Sequence, residues 1–200
     1  MQRPPLPLRL YKQMDESTQQ LIKDCRSGNR RAQLTLYNLH ARRLYNACLR
    51  ITGRPMEAEE VMQDAFLKIF SHLDQYRTEQ CFEAWMQRIA IHTAIDYVRR
   101  KSPEWEELSE NQTSADEAAL TDEREEEEKE AAIRYTVTQI KETMQHLADG
   151  YRMILSLYLF EGYDMEEIAS ILHIQPASVR SQYLRAKRKL LDILRTTNNG

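Results

Sequence analysis

Residues 164–190 read DMEEIASILHIQPASVRSQYLRAKRKL, and their pattern decides the fold class. Asp164 followed three residues later by Glu167 is a capping box, in which each side chain takes up a backbone N–H of the other end of the first turn. It opens a short helix, Met165 to Leu172, with Ile168, Ala169 and Leu172 on one face. The chain breaks at His173-Ile174-Gln175-Pro176, and Pro176 stands at the start of a second helix, where its missing N–H costs nothing. At 100° per residue that helix places Val179, Tyr183, Ala186, Leu190 and Leu194 on one side. Arg180, Ser181, Arg185, Lys187, Arg188 and Lys189 lie opposite, with Gln182 at the margin. Helix, short turn and basic helix form a helix-turn-helix pattern, one face packed and the other offering guanidinium forks to phosphates and guanine edges. A solvated basic face on an ordinary terminal helix would show the same charges.

The rest of the chain carries the same helical signature. Among 200 residues there are 5 glycines and 6 prolines, too few for the frequent turns of an all-β chain. The apolar share is 42% and the charged share 30%, enough for a packed core. From residue 58 the apolar side chains fall at Ala58, Val61, Met62, Ala65, Phe66, Ile69, Phe70 and Leu73, an amphipathic stripe of four turns. Its other face carries Glu57, Glu59, Glu60, Gln63, Asp64 and Lys68, which reads equally as a solvated surface or a protein-docking face. Upstream, Ser17-Thr18-Gln19-Gln20 reads as a capping box opening a helix that Gly28 ends. A second helix follows from about Asn29 to Thr52, up to Gly53-Arg54-Pro55. A polar loop, 74–80, precedes a helix from Cys81 to about Lys101.

Net charge is −3, which by itself argues against a nucleic-acid partner, but the charge is unevenly spread. Residues 103–130 hold 13 acids and 2 bases, so that the remainder carries +8. Fields act over about a Debye length, ~8 Å at physiological salt, so charge is read by region and the basic regions can meet nucleic acid. Ser102-Pro103 breaks the preceding helix as this acidic stretch begins, and its low apolar content predicts a flexible linker. The expected organisation is an N-terminal extension (1–16), a helical domain (17–102), the acidic linker (103–130) and a second helical domain (131–200).

In the 81–101 helix, Trp85, Arg88, His92 and Arg99 share a stripe, with Asp96, Arg100 and Lys101 beside it. Aromatic surface interleaved with cations suits single-stranded nucleic acid, whose bases stack on rings while cations follow the backbone. The alternative places Trp85 in the core with Phe82 and Ile89. Cys25, Cys48 and Cys81 are odd in number and widely spaced, which fits reduced cytoplasmic thiols rather than a disulfide framework or zinc site. The five histidines show no HExxH, and no GxSxG or P-loop occurs, so neither a metal nor a catalytic constellation is expected. The opening MQRPPLPLRLYKQ has no apolar stretch of signal-peptide length, and no apolar run approaches a membrane span. The expectation is a cytoplasmic all-α protein.

Three segments, in this order, give the chain a resemblance to bacterial RNA polymerase sigma factors of the extracytoplasmic-function (ECF) group. Residues 57–66, EAEEVMQDAF, resemble the family's DAEDLVQEVF core-binding segment. Residues 82–90, FEAWMQRIA, with Asp96-Tyr97-Val98-Arg99-Arg100, are similar to its promoter-melting segment. Glu167-Ile168-Ala169, Ser178-Val179-Arg180-Ser181 and Leu184-Arg185-Ala186 are similar to its helix-turn-helix. The resemblance spans about 17–102 and 131–195. It implies that Glu57, Glu60, Gln63, Asp64 and Phe66 dock on the clamp of the largest subunit of the polymerase core. It implies that the loop from Tyr76 to Cys81 holds a base flipped from the non-template strand. Tyr76, Arg77, Trp85, Arg88, His92, Arg99, Arg100 and Lys101 would then serve the −10 element, as single strand and upstream duplex. Ser178, Arg180, Ser181, Gln182, Arg185, Lys187 and Arg188 would read the −35 element.

The chain departs from the family pattern in four places. His92 stands where Asn is usual, Gln182 where Arg is common, Pro176-Ala177 where the turn usually contains Gly, and the acidic linker is long. A sigma factor performs no covalent chemistry, so the resemblance implies no enzyme activity, no cofactor, no metal and no small-molecule substrate. It implies a monomer when free and an anti-sigma factor as a further partner. Two other readings fit the residues themselves: a helix-turn-helix regulator that binds duplex without melting it, and a helical interaction protein that does not bind DNA. Phosphate contacts predict affinity that falls steeply with salt, which separates the last reading from the others.

Overall fold

The computed structural model describes residues 16–77, 81–101 and 136–198. Their regular structure is helical, with no strand among them, as the periodicity predicts. The chain divides into two compact units at Val98/Arg99, in the last turn of the fourth helix. The N-terminal extension up to residue 15, the acidic linker and residues 78–80 of the 74–80 loop lie outside the described residues, while Glu16 belongs to the first helix.

The first unit contains α1 (Glu16–Arg26), α2 (Arg30–Thr52), α3 (Pro55–Ser71), a single 3₁₀ turn (Leu73–Gln75) and all but the last three residues of α4 (Phe82–Lys101). Helix α2 starts where its side-chain chemistry demands: Asn29 Oδ1 accepts from the backbone N–H groups of Arg31 and Ala32 at 3.0 and 3.3 Å. It stops at Gly53, whose φ of 74° is the left-handed conformation a C-cap uses, with its N–H returned to Leu49 O. Helix α1 begins earlier than the capping-box reading placed it. Glu16 is already helical, so Ser17 lies inside the first turn rather than at the cap. The stripe read from the sequence as the inner face of α3 is buried from Ala58 to Ile69, and α3 packs mainly on α2, whose Leu36, Leu44, Ala47 and Ile51 are buried as well. Lys68 Nζ donates to Thr93 Oγ1 at 3.1 Å, and Tyr97 Oη donates to Glu60 Oε2 at 3.2 Å, so polar bonds also link α3 to α4.

The second unit contains α5 (Val137–Met144), α6 (Asp149–Leu159), α7 (Met165–Leu172) and α8 (Pro176–Asn198). Its core joins Met144, Leu147, Leu155, Ala186, Leu190 and Leu194. Two reciprocal capping boxes set the helix starts. The Asp164–Glu167 box is formed as expected, with Glu167 N–H donating to Asp164 Oδ1 at 2.7 Å and Asp164 N–H to Glu167 Oε2 at 2.9 Å. A second box, Thr136–Gln139, opens α5 by the same exchange. The buried Arg152 is held by Asp149 and by Leu147 O, which keeps its charge satisfied inside the apolar layer.

Candidate nucleic-acid interface

In the second unit, α7 and α8 form the helix-turn-helix. His173 ends α7 in the left-handed conformation (φ 55°), its N–H on Ala169 O, and α8 begins at Pro176. Val179, Ala186, Leu190 and Leu194 anchor α8 from below. The other side presents Arg180 and Arg188 to solvent, with Ser178, Ser181, Arg185 and Lys187 half-exposed beside them. Gln182 is a correction. It is buried (2% exposed), because it stands three residues after Val179 and four before Ala186, on the packed side of the helix rather than at its margin. Its Oε1 has no hydrogen-bond partner. Tyr183 packs its ring 4.7 Å from that of Tyr158, and burial pushes its hydroxyl pKa up to about 12.

In the first unit, the segment read as strand-capturing surrounds an aromatic cluster. The rings of Tyr76, Phe82 and Trp85 lie within 4.9–5.7 Å of one another, Phe82 and Trp85 stacked at 20°. Tyr76 and Phe82 are buried, while Trp85 keeps part of its surface exposed. Tyr76 therefore supports Trp85 from within rather than facing a partner, a second correction to the surface reading. Arg77 beside it is exposed; the positions 78–80 that complete the expected base pocket lie outside the described residues. Along α4, Arg88, His92 and Arg99 are half-exposed and Arg100 and Lys101 exposed, the last three closing the helix with positive charge at its C-terminal end.

Arg26 fixes the approach to this cluster, a role no motif marked. Its guanidinium donates to Leu73 O at 2.8 and 3.1 Å and to Tyr76 O at 2.9 Å. His40 also meets Phe82, the two rings edge-to-face at 6.2 Å. Burial lowers its pKa, with Arg43 adding to the effect and Glu83 opposing it. Cys81 Sγ donates to Glu83 Oε2 at 3.1 Å, and Arg43 Nε donates to Gln87 Oε1 at 2.9 Å.

On α3, Glu60, Gln63 and Asp64 form an exposed polar face. Glu57 is mostly covered and paired with Arg54 at 2.8 Å. Phe66 is buried (3% exposed), its ring 4.6 Å from Tyr37, which corrects its assignment as a docking contact. It fixes the helix from inside. Exposed Met56 and Leu67 extend the same outer face, and the periodicity of the sequence does not single them out. Among the described residues no three His, Cys, Asp or Glu side chains gather as a metal site, and no helix is long and apolar enough to cross a membrane. The three cysteines are buried, none in a disulfide.

Fold and surface define the class first: a helical protein of two units, one ending in a helix-turn-helix and the other built around a half-exposed tryptophan and a row of cations. The family model for Sigma-70 region 2 matches residues 36–104, and that for Sigma-70, region 4, matches 138–190. Together they cover more than half of the chain. RNA polymerase sigma-H factor of Pseudomonas aeruginosa is 29% identical over 180 residues, which are 88% of this chain and 92% of the relative. ECF RNA polymerase sigma factor SigW of Bacillus subtilis is 25% identical over 186 residues, 91% and 99% of the two chains. The fold is shared with the sigma factor RpoE of Bartonella quintana, solved in complex with the anti-sigma factor NepR, at a TM-score of 0.50 and 17% identity over 80% of this chain and 95% of that one. The chain belongs to the sigma-70 family, in its ECF group, and is a transcription initiation factor.

Proposed function

We propose that residues 17–102 bind the polymerase core and open the −10 region, that 131–200 read the −35 element, and that 103–130 tether the two. The observation that carries this reading is the pairing of two surfaces in one chain: a capped helix-turn-helix exposing Arg180 and Arg188, and an α4 bearing Trp85 above a buried aromatic support. A duplex-only regulator has use for the first surface and none for the second.

On this reading α3 docks on the clamp of the largest polymerase subunit through Glu60, Gln63 and Asp64, with Glu57 at the edge. Trp85 stacks on an exposed base, Arg77, Arg88 and His92 hold the non-template strand, and Arg99, Arg100 and Lys101 contact the upstream duplex. Extruding a base costs a few kcal/mol of unstacking, offset by stacking of about 1–3 kcal/mol per base on an aromatic ring. Arg180, Ser181 and Arg185 read base edges in the major groove, while Ser178, Lys187 and Arg188 bind phosphate. No covalent step belongs to this chain; the chemistry is the polymerase's. It works in the cytoplasm, where the polymerase is, and an anti-sigma factor that covers these faces holds it inactive.

The test is transcription by bacterial core polymerase from a pool of genomic fragments. Promoter-specific transcripts with the chain, absent with core alone and reduced at least tenfold by Asp64→Lys, support the assignment. Salt-sensitive duplex binding without transcripts refutes it.

A further inference from the structure

Arg180 does not project alone from α8. Its Nη2 donates to Glu166 Oε1 of α7 at 2.9 Å, across the turn of the helix-turn-helix, and both side chains remain more than half exposed. Glu166 takes no part in the capping box of α7, which Asp164 and Glu167 make, and adds to that helix only the weak attraction of an exposed acid in its first turn. An exposed ion pair of this kind also adds little to stability. The carboxylate is therefore placed where its effect falls on the recognition surface rather than on the fold.

We propose that Glu166 is a specificity-determining residue for −35 recognition, acting as a positioning residue on Arg180. The proposal rests on the promoter-reading role of α8. An exposed guanidinium takes carboxylate and phosphate alike, so on unrelated duplex a phosphate that meets Arg180 either competes with Glu166 for its N–H groups or lies beside the carboxylate and is repelled by it. On a matching site the fork keeps one N–H of Nη2 on Glu166 and turns its others to the N7 and O6 of guanine. The pair thus lowers the general attraction of Arg180 for DNA while holding its orientation for a base edge. Sequence discrimination gains at the expense of bulk affinity.

The experiment uses the full chain assembled with core polymerase, a promoter fragment that it transcribes, and the same fragment with a scrambled −35 element. Glu166→Gln is expected to raise affinity for the scrambled fragment by about two- to fivefold and for the intact one by less than twofold. The salt slope on the scrambled fragment steepens by roughly 0.9, one further phosphate contact. The thermal midpoint of the free chain falls only slightly, since one exposed ion pair and one acid in the first turn of α7 are lost. Asp192→Asn removes an exposed acid elsewhere on α8 and controls for net charge. In an Arg180→Ala background, Glu166→Gln is expected to do no more than Asp192→Asn. Equal effects of Glu166→Gln and Asp192→Asn in the wild-type background, or an effect that persists without Arg180, overturn the proposal. Failure of the unmutated holoenzyme to distinguish the two fragments overturns instead the promoter-reading role beneath it, and the proposal with it.

Discussion

The ring of Tyr76 lies 5.3 Å from that of Trp85, and both lie against Phe82 at the start of α4. Buried Tyr76 and Phe82 are the platform that holds a half-exposed tryptophan at the surface. Support and contact are separable by substitution. Phe82→Ala, at a fully buried site, lowers stability by about 3–5 kcal/mol, the usual cost of removing a core aromatic ring. Trp85→Ala costs less than half of that yet reduces promoter opening at least tenfold. Chemical denaturation and open-complex assays on the same preparations check the split; equal losses of stability would contradict it.

Arg26 ties the end of α1 to the chain entering the cluster through three hydrogen bonds to Leu73 O and Tyr76 O. Arg26→Ala leaves two carbonyls without their charged donor and lowers unfolding free energy by about 1–3 kcal/mol. Arg26→Lys recovers part of this, since an ammonium is a point donor and cannot reproduce the fork. Urea midpoints of the three proteins measure the order.

His40 gives the first unit a defined response to acid. Burial lowers its pKa in the folded state below the ordinary value of about 6.5, so the unfolded chain binds more protons across the window beneath 6.5. Its contribution to stability is fully present above 6.5 and falls as the pH drops from there to the folded-state pKa. Burial pushes the neighbouring Glu83 carboxyl up, but the Cys81 thiol bond and the charges of His40 and Arg43 outweigh it and hold its pKa low, so its contribution is lost at still lower pH. Comparing unfolding of the wild type and His40→Gln between pH 7.5 and about 5 isolates the histidine contribution: the variant loses less stability over that interval.

The buried Oε1 of Gln182 predicts the opposite of what its place in the recognition helix suggests. Gln182→Leu removes an unsatisfied acceptor at similar volume, so it raises stability by up to about 1 kcal/mol and leaves −35 discrimination within twofold. Arg185→Ala, on the exposed side, costs about 1–3 kcal/mol of binding and relaxes selectivity at the base it contacts. A loss of discrimination in Gln182→Leu comparable to that in Arg185→Ala would place Gln182 at the DNA.

Helix positions are legible in the sequence because their signals are local. Asn29, Gly53 and the Asp164–Glu167 pair each bond within four residues of themselves, so spacing alone locates the ends of α2 and the start of α7. Thr136–Gln139 obeys the same rule and is equally readable. Exposure is less legible. Phe66, Tyr76 and Gln182 stand inside motifs whose neighbours face solvent, but a motif records which residue types recur and not which way each side chain points. For Gln182 the 100° projection carries the answer, since Val179 and Ala186 on either side are core; its polar type weighs against it. Arg26 and the Glu166–Arg180 pair are beyond reach, being bonds across 47, 50 and 14 residues that only the folded chain brings together.

If one chain both places the polymerase and opens the duplex, melting must depend on Trp85 and not on −35 binding alone. Permanganate reactivity of non-template thymines in the −10 region reads this out, in a complex of the full chain, core polymerase and a promoter it transcribes. The expected result is reactive thymines in the wild-type complex, none with core alone, and a loss of at least tenfold with Trp85→Ala while −35 binding persists. A complex that binds the promoter but leaves those thymines unreactive would contradict the melting role, and make the chain a duplex-binding regulator.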